Sequence, residues 1–227
     1  TLLQTKFHIP TPLPTLVPRP RLYAKLNARL NGKLTLVAAP AGSGKTTLIC
    51  DWLRQTGLSA VWLSLDAGDN DLQRFLRYLL GALQSGHPGL GQTALPLLQL
   101  PQPAEKLILV LDDYHVIEAA AVHQALIFLL ERLPPQLHLV ITSRVNPPLP
   151  LARLRGRGEV SEVRASDLRF TSEETEAFFQ HFSLLTVSSS DLALLNERTE
   201  GWIVGLQLAA LSLEHHSNVA GFVQNFS

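Results

Sequence analysis

Ala39-Pro40-Ala41-Gly42-Ser43-Gly44-Lys45-Thr46-Thr47 is the stretch that decides the fold class of this chain. An apolar run, Leu34-Thr35-Leu36-Val37-Ala38, leads into it, and Thr47-Leu48-Ile49-Cys50-Asp51-Trp52-Leu53 follows with helical character. Strand, glycine-containing turn, Gly-Lys-Thr and helix is the layout of a phosphate-binding loop. A turn that opens a helix aims several unpaired N–H groups and the positive end of the helix dipole at one point. Gly42 and Gly44 let the backbone approach a phosphate, Lys45 supplies a point charge for the β- and γ-phosphates, and the Thr46 hydroxyl suits Mg²⁺. The strict pattern opens on Gly, and Ala39 stands in that place; the strand and helix on either side carry the reading instead.

The rest of the composition narrows the class. A chain of 227 residues, 46% of them hydrophobic, buries a sizeable core in one or two domains and is not disordered. Nineteen basic residues balance nineteen acidic ones, so no bulk field draws the chain to nucleic acid or to an anionic membrane. No apolar run reaches transmembrane length and no secretory leader pattern opens the chain, so a cytoplasmic location and no membrane partner are expected. Cys50 is the sole cysteine, which excludes an intrachain disulfide and reads as a small core residue. The chain opens on Thr1 and contains no Met, so a fragment of a longer protein is expected.

In chain order, residues 1–32 read as a Pro- and Thr-rich arm followed by a short helix with Leu22, Leu26 and Leu30 on one side. This arm either packs on the core or covers a nucleotide base, with Val17 stacking on it and Arg19 close by. Residues 33–165 read as the core. Strands are expected at 33–39, 60–65, 107–112, 137–142 and 159–163, with helices between them. Gly57 suits a helix C-cap, and Asp69 or Asn70 suits the N-cap of the helix that carries Leu72, Phe75, Leu76, Leu79, Leu80 and Leu83. Leu107-Ile108-Leu109-Val110-Leu111-Asp112-Asp113 is a continuous apolar strand ending in two carboxylates, where ligands of open α/β sheets bind. Asp112 there would hold Mg²⁺ and Asp113 would orient the attacking water. Ser143-Arg144 end the next strand, where Arg144 would face the γ-phosphate. His115 is expected in a loop beyond the site. Arg153, Arg155 and Arg157 read first as a solvated helix face, and otherwise as a nucleic-acid contact or an arginine finger for a neighbour. Residues 166–227 change character: Thr171-Ser172-Glu173-Glu174 is a capping box, and three helices follow, the second from about Ser190 and the third to about Leu213. The expected fold is therefore an α/β P-loop NTPase with a five-stranded parallel sheet in three layers, followed by a small all-helical domain.

These segments together resemble the nucleotide-binding region of the MalT-like STAND ATPases, a family that includes large LuxR-type transcription regulators. The resemblance spans nearly the whole chain. It rests on Leu3-Gln4-Thr5-Lys6, Val17-Pro18-Arg19-Pro20-Arg21-Leu22, the phosphate loop, Trp62-Leu63-Ser64-Leu65-Asp66, Leu111-Asp112-Asp113-Tyr114-His115, Thr142-Ser143-Arg144, Leu151-Ala152-Arg153-Leu154-Arg155, Asp167-Leu168-Arg169-Phe170 and Thr199-Glu200-Gly201-Trp202. It implies an ATP/ADP switch: a resting ADP-bound monomer, inducer-driven exchange for ATP, self-association, and slow Mg²⁺-dependent hydrolysis that resets the cycle. Lys45, Thr46, Asp112 and Arg144 fall on the family's phosphate, magnesium and sensor positions, and Val17 and Arg19 on its base-binding arm. Gln207 stands where related switches carry the Pro of a Gly-x-Pro segment. The resemblance also implies that an inducer and DNA engage domains outside this chain, and that residues are missing between Leu83 and Leu107.

Two other functions fit a phosphate loop. A small-molecule kinase needs an acceptor pocket and a lid of clustered arginines, and beyond 153–157 none is evident. A nucleotide-dependent scaffold without turnover fits the absence of a Glu directly after Asp113. GTP is disfavoured, because none of the five lysines lies in an N-K-x-D motif.

Overall fold

The computed structural model describes residues 2–11, 16–86, 106–182, 187–213 and 219–226. The proposed gap between Leu83 and Leu107 falls largely outside them, as does the loop beyond the third bundle helix where the sequence places His215 and His216. Five strands form one parallel sheet: β1 (Leu34–Ala38), β2 (Ala60–Ser64), β3 (Leu107–Asp112), β4 (Leu137–Ser143) and β5 (Val160–Arg164), in the order β2-β3-β4-β1-β5. β1 sits between β4 and β5, so the chain leaves β1 beside the tips of β4 and, one strand further, β3.

Alternation along each strand builds the two faces, because successive side chains point to opposite sides. Leu34, Leu36, Val61, Leu63, Leu107, Leu109, Leu111, Leu139 and Ile141 pack with Phe75, Leu79, Leu83, Val122 and Leu126. Those partners come from α3 (Leu72–Gly86) and α4 (Ala120–Glu131), with Leu151 and Leu154 of α5 (Leu151–Gly156) beside them. On the other face Val37, Trp62, Ile108, Val110, Val140 and Val163 pack with Leu22 and Leu26 of α1 (Pro20–Asn27) and Leu48, Ile49, Trp52 and Leu53 of α2 (Lys45–Thr56). Trp52 and Trp62 are fully buried, and each indole N–H finds an acceptor, Asn27 Oδ1 at 2.8 Å and Ser64 Oγ at 2.9 Å.

A short helix α6 (Ala165–Leu168) leads out of the sheet. A second apolar cluster then forms from α7 (Ser172–Phe182), α8 (Ser189–Arg198), α9 (Ile203–Leu213) and α10 (Val219–Asn225). Val17 of the arm belongs to this cluster, not to the sheet's. The capping box opens α7 as read from sequence: Glu174 N–H donates to Thr171 Oγ1 at 3.2 Å and Thr171 N–H to Glu174 Oε2 at 3.1 Å. Gly57 caps α2 in the left-handed region at φ 63°. The α3 cap differs from the expectation. Asp71 Oδ1 accepts Arg74 N–H at 2.7 Å, while Asp69 and Asn70 lie in a 3₁₀ turn over Ala67–Asn70. Asp69 is drawn away by Lys6, a buried lysine that ion-pairs with Asp69 and with Asp66 and so fastens the start of the arm. Arg153 and Arg155 of α5 pair with Glu131 at 2.6 Å and Glu162 at 2.8 Å, which agrees with a solvated helix face. No described helix is long and apolar enough to cross a membrane.

His138 gives the sheet a pH-sensitive point. It is fully buried on β4, with Nδ1 2.9 Å from the Gly32 carbonyl and Nε2 2.9 Å from Thr35 Oγ1. A carbonyl only accepts, so Nδ1 carries the proton and Nε2 accepts from Thr35. Burial pushes its pKa down to about 4. The unfolded chain therefore takes up a proton from about pH 6.5 downward that the folded chain refuses until about pH 4, and stability is lost across that window. His138→Gln is expected to lose about 2–3 kcal/mol less unfolding free energy between pH 7 and pH 4.5 than the parent chain, measured by urea denaturation.

Candidate functional site

The β1–α2 connection turns on two left-handed glycines, Gly42 at φ 73° and Gly44 at φ 77°. Gly44 is the N-cap of α2, and Leu48 N–H donates to its carbonyl at 2.9 Å. A side chain at Gly42 would be strained in this conformation and would lie 2.8 Å from Val204 Cγ2. Ser43 Oγ donates to the Pro40 carbonyl at 2.8 Å and tightens the loop. Lys45 folds back over it, its Nζ donating to the carbonyls of Ala39 at 2.9 Å and Pro40 at 2.8 Å. Burial lowers the pKa of this ammonium group and Arg144 adds to that, while Asp113 and Asp112 oppose it. Ala39 is buried, Ala41 and Thr47 are exposed, and Ala39 N–H is fixed by the Ser143 carbonyl at 3.2 Å.

Asp112 closes the far side of the loop. Thr142 Oγ1 donates to its Oδ1 at 2.6 Å, and Thr46 Oγ1 lies 3.1 Å from Oδ1 and 3.3 Å from Oδ2. Burial lifts the Asp112 carboxyl above the usual carboxylate range against the lowering effect of those hydroxyls. Asp113 follows at φ 60°, a left-handed conformation that costs a non-glycine residue about 1 kcal/mol and persists only where the surroundings hold it. Its N–H donates to Thr142 Oγ1 at 2.9 Å, which is what holds it, and its side chain turns outward, 51% exposed. His115 is nearer than its sequence position suggested, with Nδ1 3.6 Å from Asp113 Oδ1 and no hydrogen-bond partner for that nitrogen. Burial lowers its pKa, with Arg144 and Lys45 contributing. Arg144 is exposed one residue past the tip of β4, and no described residue pairs with its guanidinium. Lys45, Thr46, Asp112, Asp113 and Arg144, scattered over a hundred positions, thus meet at one edge of the sheet.

A cavity of about 340 Å³ continues from the loop, within the usual size range of small-molecule pockets. Gly42, Ser43, Gly44, Thr46 and Thr47 form one end; Val17, Arg19, Phe178 and Gln207 stand among its other walls. Both arm residues singled out in the sequence are there, but Arg19 is largely committed elsewhere. Its Nη1 donates to the Leu168 carbonyl at 2.8 Å and its Nη2 to the Arg169 carbonyl at 2.7 Å and to Glu174 at 2.8 Å. Its guanidinium lies 4.3 Å from the Phe170 ring centre. Its Nε alone is buried without a partner among the described residues. Sequence reasoning missed Tyr23, Asp51, Phe170, Phe178, Ile203 and Val204 as cavity walls. Apolar residues at helical spacing read as core, and nothing local marks them as facing a cavity.

No protein-family model matches the chain. Curated relatives do: it is 38% identical to the HTH-type transcriptional regulator MalT of Serratia proteamaculans over 96% of this chain and 26% of that protein. The corresponding regulator of Yersinia pestis is 37% identical over 93% of this chain and 25% of its own length. Over most of its length the chain is similar to a part of these MalT regulators. It spans about a quarter of the length of the curated relatives it matches. Among solved structures, a signal transduction ATPase with numerous domains and a tetratricopeptide repeat sensor, from Pyrococcus horikoshii, superimposes with a TM-score of 0.58 at 19% identity. That match covers 94% of this chain and 32% of the other. RuvB of Thermotoga maritima superimposes with a TM-score of 0.53 at 13% identity, covering 92% of this chain and 68% of the other. At these identities the two establish the fold, which is that of a P-loop NTPase.

Thr142 joins the two acids of the site, since one hydroxyl donates to the Asp112 carboxylate and accepts the Asp113 N–H. Thr142→Val is expected to destabilise the fold by about 1–3 kcal/mol, because it strips a buried carboxylate of its donor and the Asp113 N–H of its acceptor. Urea denaturation against the parent chain measures it.

Proposed function

We propose that this chain is the ATP/ADP-binding switch module of a transcription regulator. The observation that carries the proposal is the continuity of the cavity from the phosphate loop to Val17 and Gln207, with Thr46 at its phosphate end hydrogen-bonded to Asp112 behind it. Thr46 and Asp112 present only oxygen donors to each other across 3.1 Å, the chemistry a hard cation such as Mg²⁺ takes. Val17 and Arg19 of the arm stand among the cavity walls at its other end, which fits a ligand that extends from the phosphate loop to the arm. Bound there, Mg²⁺ would supply charge neutralisation for the phosphates.

In this reading Gly42 to Thr47 wrap the phosphates with backbone N–H groups, and Ala39, Pro40 and Ala41 shape the approach. Lys45 exchanges its two carbonyl partners for phosphate oxygens, a stronger acceptor for an ammonium. Asp113 orients the attacking water, and the guanidinium of Arg144, unpaired among the described residues, registers whether a γ-phosphate is present. With no Glu beside Asp113, hydrolysis is slow and serves to reset a switch. Self-association in the ATP state, an inducer that is a small molecule or a protein, and DNA binding belong to the same proposal. The last two act through domains outside this chain, in the cytoplasm.

Lys45→Ala tests the phosphate end. Removing two charge-assisted contacts is expected to weaken ATP and ADP by about 30- to 100-fold in calorimetric titrations. Unchanged affinity for both nucleotides would show that the phosphates bind elsewhere.

A further inference from the structure

Glu174 lies outside the cavity and touches none of the residues that would hold phosphate, yet it gathers more hydrogen bonds than any capping role needs. Arg21 Nε donates to its Oε1 at 2.9 Å. Its Oε2 accepts from Arg19 Nη2 at 2.8 Å, from Arg21 Nη2 at 2.9 Å and from Thr171 N–H. The same two arginines reach the carbonyls just before α7: Arg21 bonds those of Asp167 at 2.7 Å and Arg169 at 2.6 Å, beside the Leu168 and Arg169 carbonyls held by Arg19. Glu174 and Arg19 are each at least nine-tenths buried. Burial works to raise the Glu174 pKa, but the hydrogen bonds from Arg21 and Arg19 prevail and keep the carboxyl below its ordinary value. A buried carboxylate with two guanidiniums is costly to pull apart, because either side would be left charged and unpaired.

The placement of this cluster gives it a task. Arg19 is two residues from Val17, and Glu174 is one helical turn from Phe178. Val17 and Phe178 both line the cavity and both belong to the apolar cluster of the helical bundle. Pro18 and Pro20 flank Arg19 with fixed φ angles, so the short segment moves as a stiff unit. Whatever displaces Arg19 and Arg21 from Glu174 therefore displaces Val17 from the wall, while the phosphate loop, anchored on β1 and α2, stays in place.

We infer that the Arg19–Glu174–Arg21 cluster is a clasp that holds the arm against α7 and thereby governs how fast the nucleoside half of a bound nucleotide leaves. This rests on the nucleotide reading above and makes Glu174 a positioning residue that never touches the ligand. Glu174→Gln keeps the capping box, since Gln serves at that position as Glu does, and removes the charge. Arg21→Met, at a partly exposed position, loosens the same clasp from the other side.

Release of radiolabelled ADP after dilution is expected to quicken about 10-fold in both variants. Their affinity for pyrophosphate, which probes the phosphate loop alone, is expected to stay within about 2-fold of the parent. Unchanged ADP release in both variants overturns the clasp. So does a parallel loss of ADP and pyrophosphate, which would mean general loosening. A parent chain that binds pyrophosphate and ADP equally well, or neither, would instead strike at the nucleotide reading itself.

Discussion

One buried carboxylate sets the geometry of the site. Asp112 ends β3, receives Thr142 from β4, and faces Thr46 in the first turn of α2. Three elements far apart in sequence are tied at a single side chain, at the sheet edge where β1 lets the chain out into the loop. The tie is costly on its own, because burial disfavours the charge, as the raised pKa records. It holds because each hydroxyl that approaches the carboxylate is itself fixed by a strand or helix. The left-handed Asp113 depends on the same fastening, since Thr142 accepts its N–H. A left-handed acid, a desolvated lysine folded over carbonyls, and an arginine that pairs with no described residue share this edge.

Much of this was legible in the chain. The five apolar runs are strands because alternating or continuous apolar patterns are local signals, and their ends fell within a residue or two of expectation. Gly42 and Gly44 were legible for the same reason: a turn of that hand needs residues without a Cβ. The misreadings share one cause, a distant partner that rewrites a local preference. Asp69 looked like a helix cap until Lys6, sixty-three positions earlier, claimed it. Arg19 does line the cavity, and its contacts to the Leu168 and Arg169 carbonyls are long-range partners that no local pattern announces. His115 was expected beyond the site, and the turn at Asp113 leaves its Nδ1 3.6 Å from Asp113 Oδ1.

The helical bundle is part of the site and not an appendage to it. Ile203 and Val204, at the start of α9, press on the phosphate-loop glycines, and a Cβ on Gly42 would meet Val204. Gly201, at φ 68°, lets the turn before α9 come against Phe170, whose N–H donates to the Gly201 carbonyl at 2.8 Å; a Cβ there would lie 2.4 Å from the Phe170 carbonyl oxygen. The two motifs that looked unrelated in sequence, one around Phe170 and one around Gly201, are two sides of one joint. The cavity is thus walled by the phosphate loop, the arm and the bundle together.

The most direct test is the identity of what the purified protein carries. Acid release followed by mass spectrometry is predicted to recover ADP or ATP in near-stoichiometric amount, retained by the cavity beside the phosphate loop. Protein that emerges empty, and that still holds no adenine nucleotide after incubation with Mg²⁺ and ATP, would contradict the account.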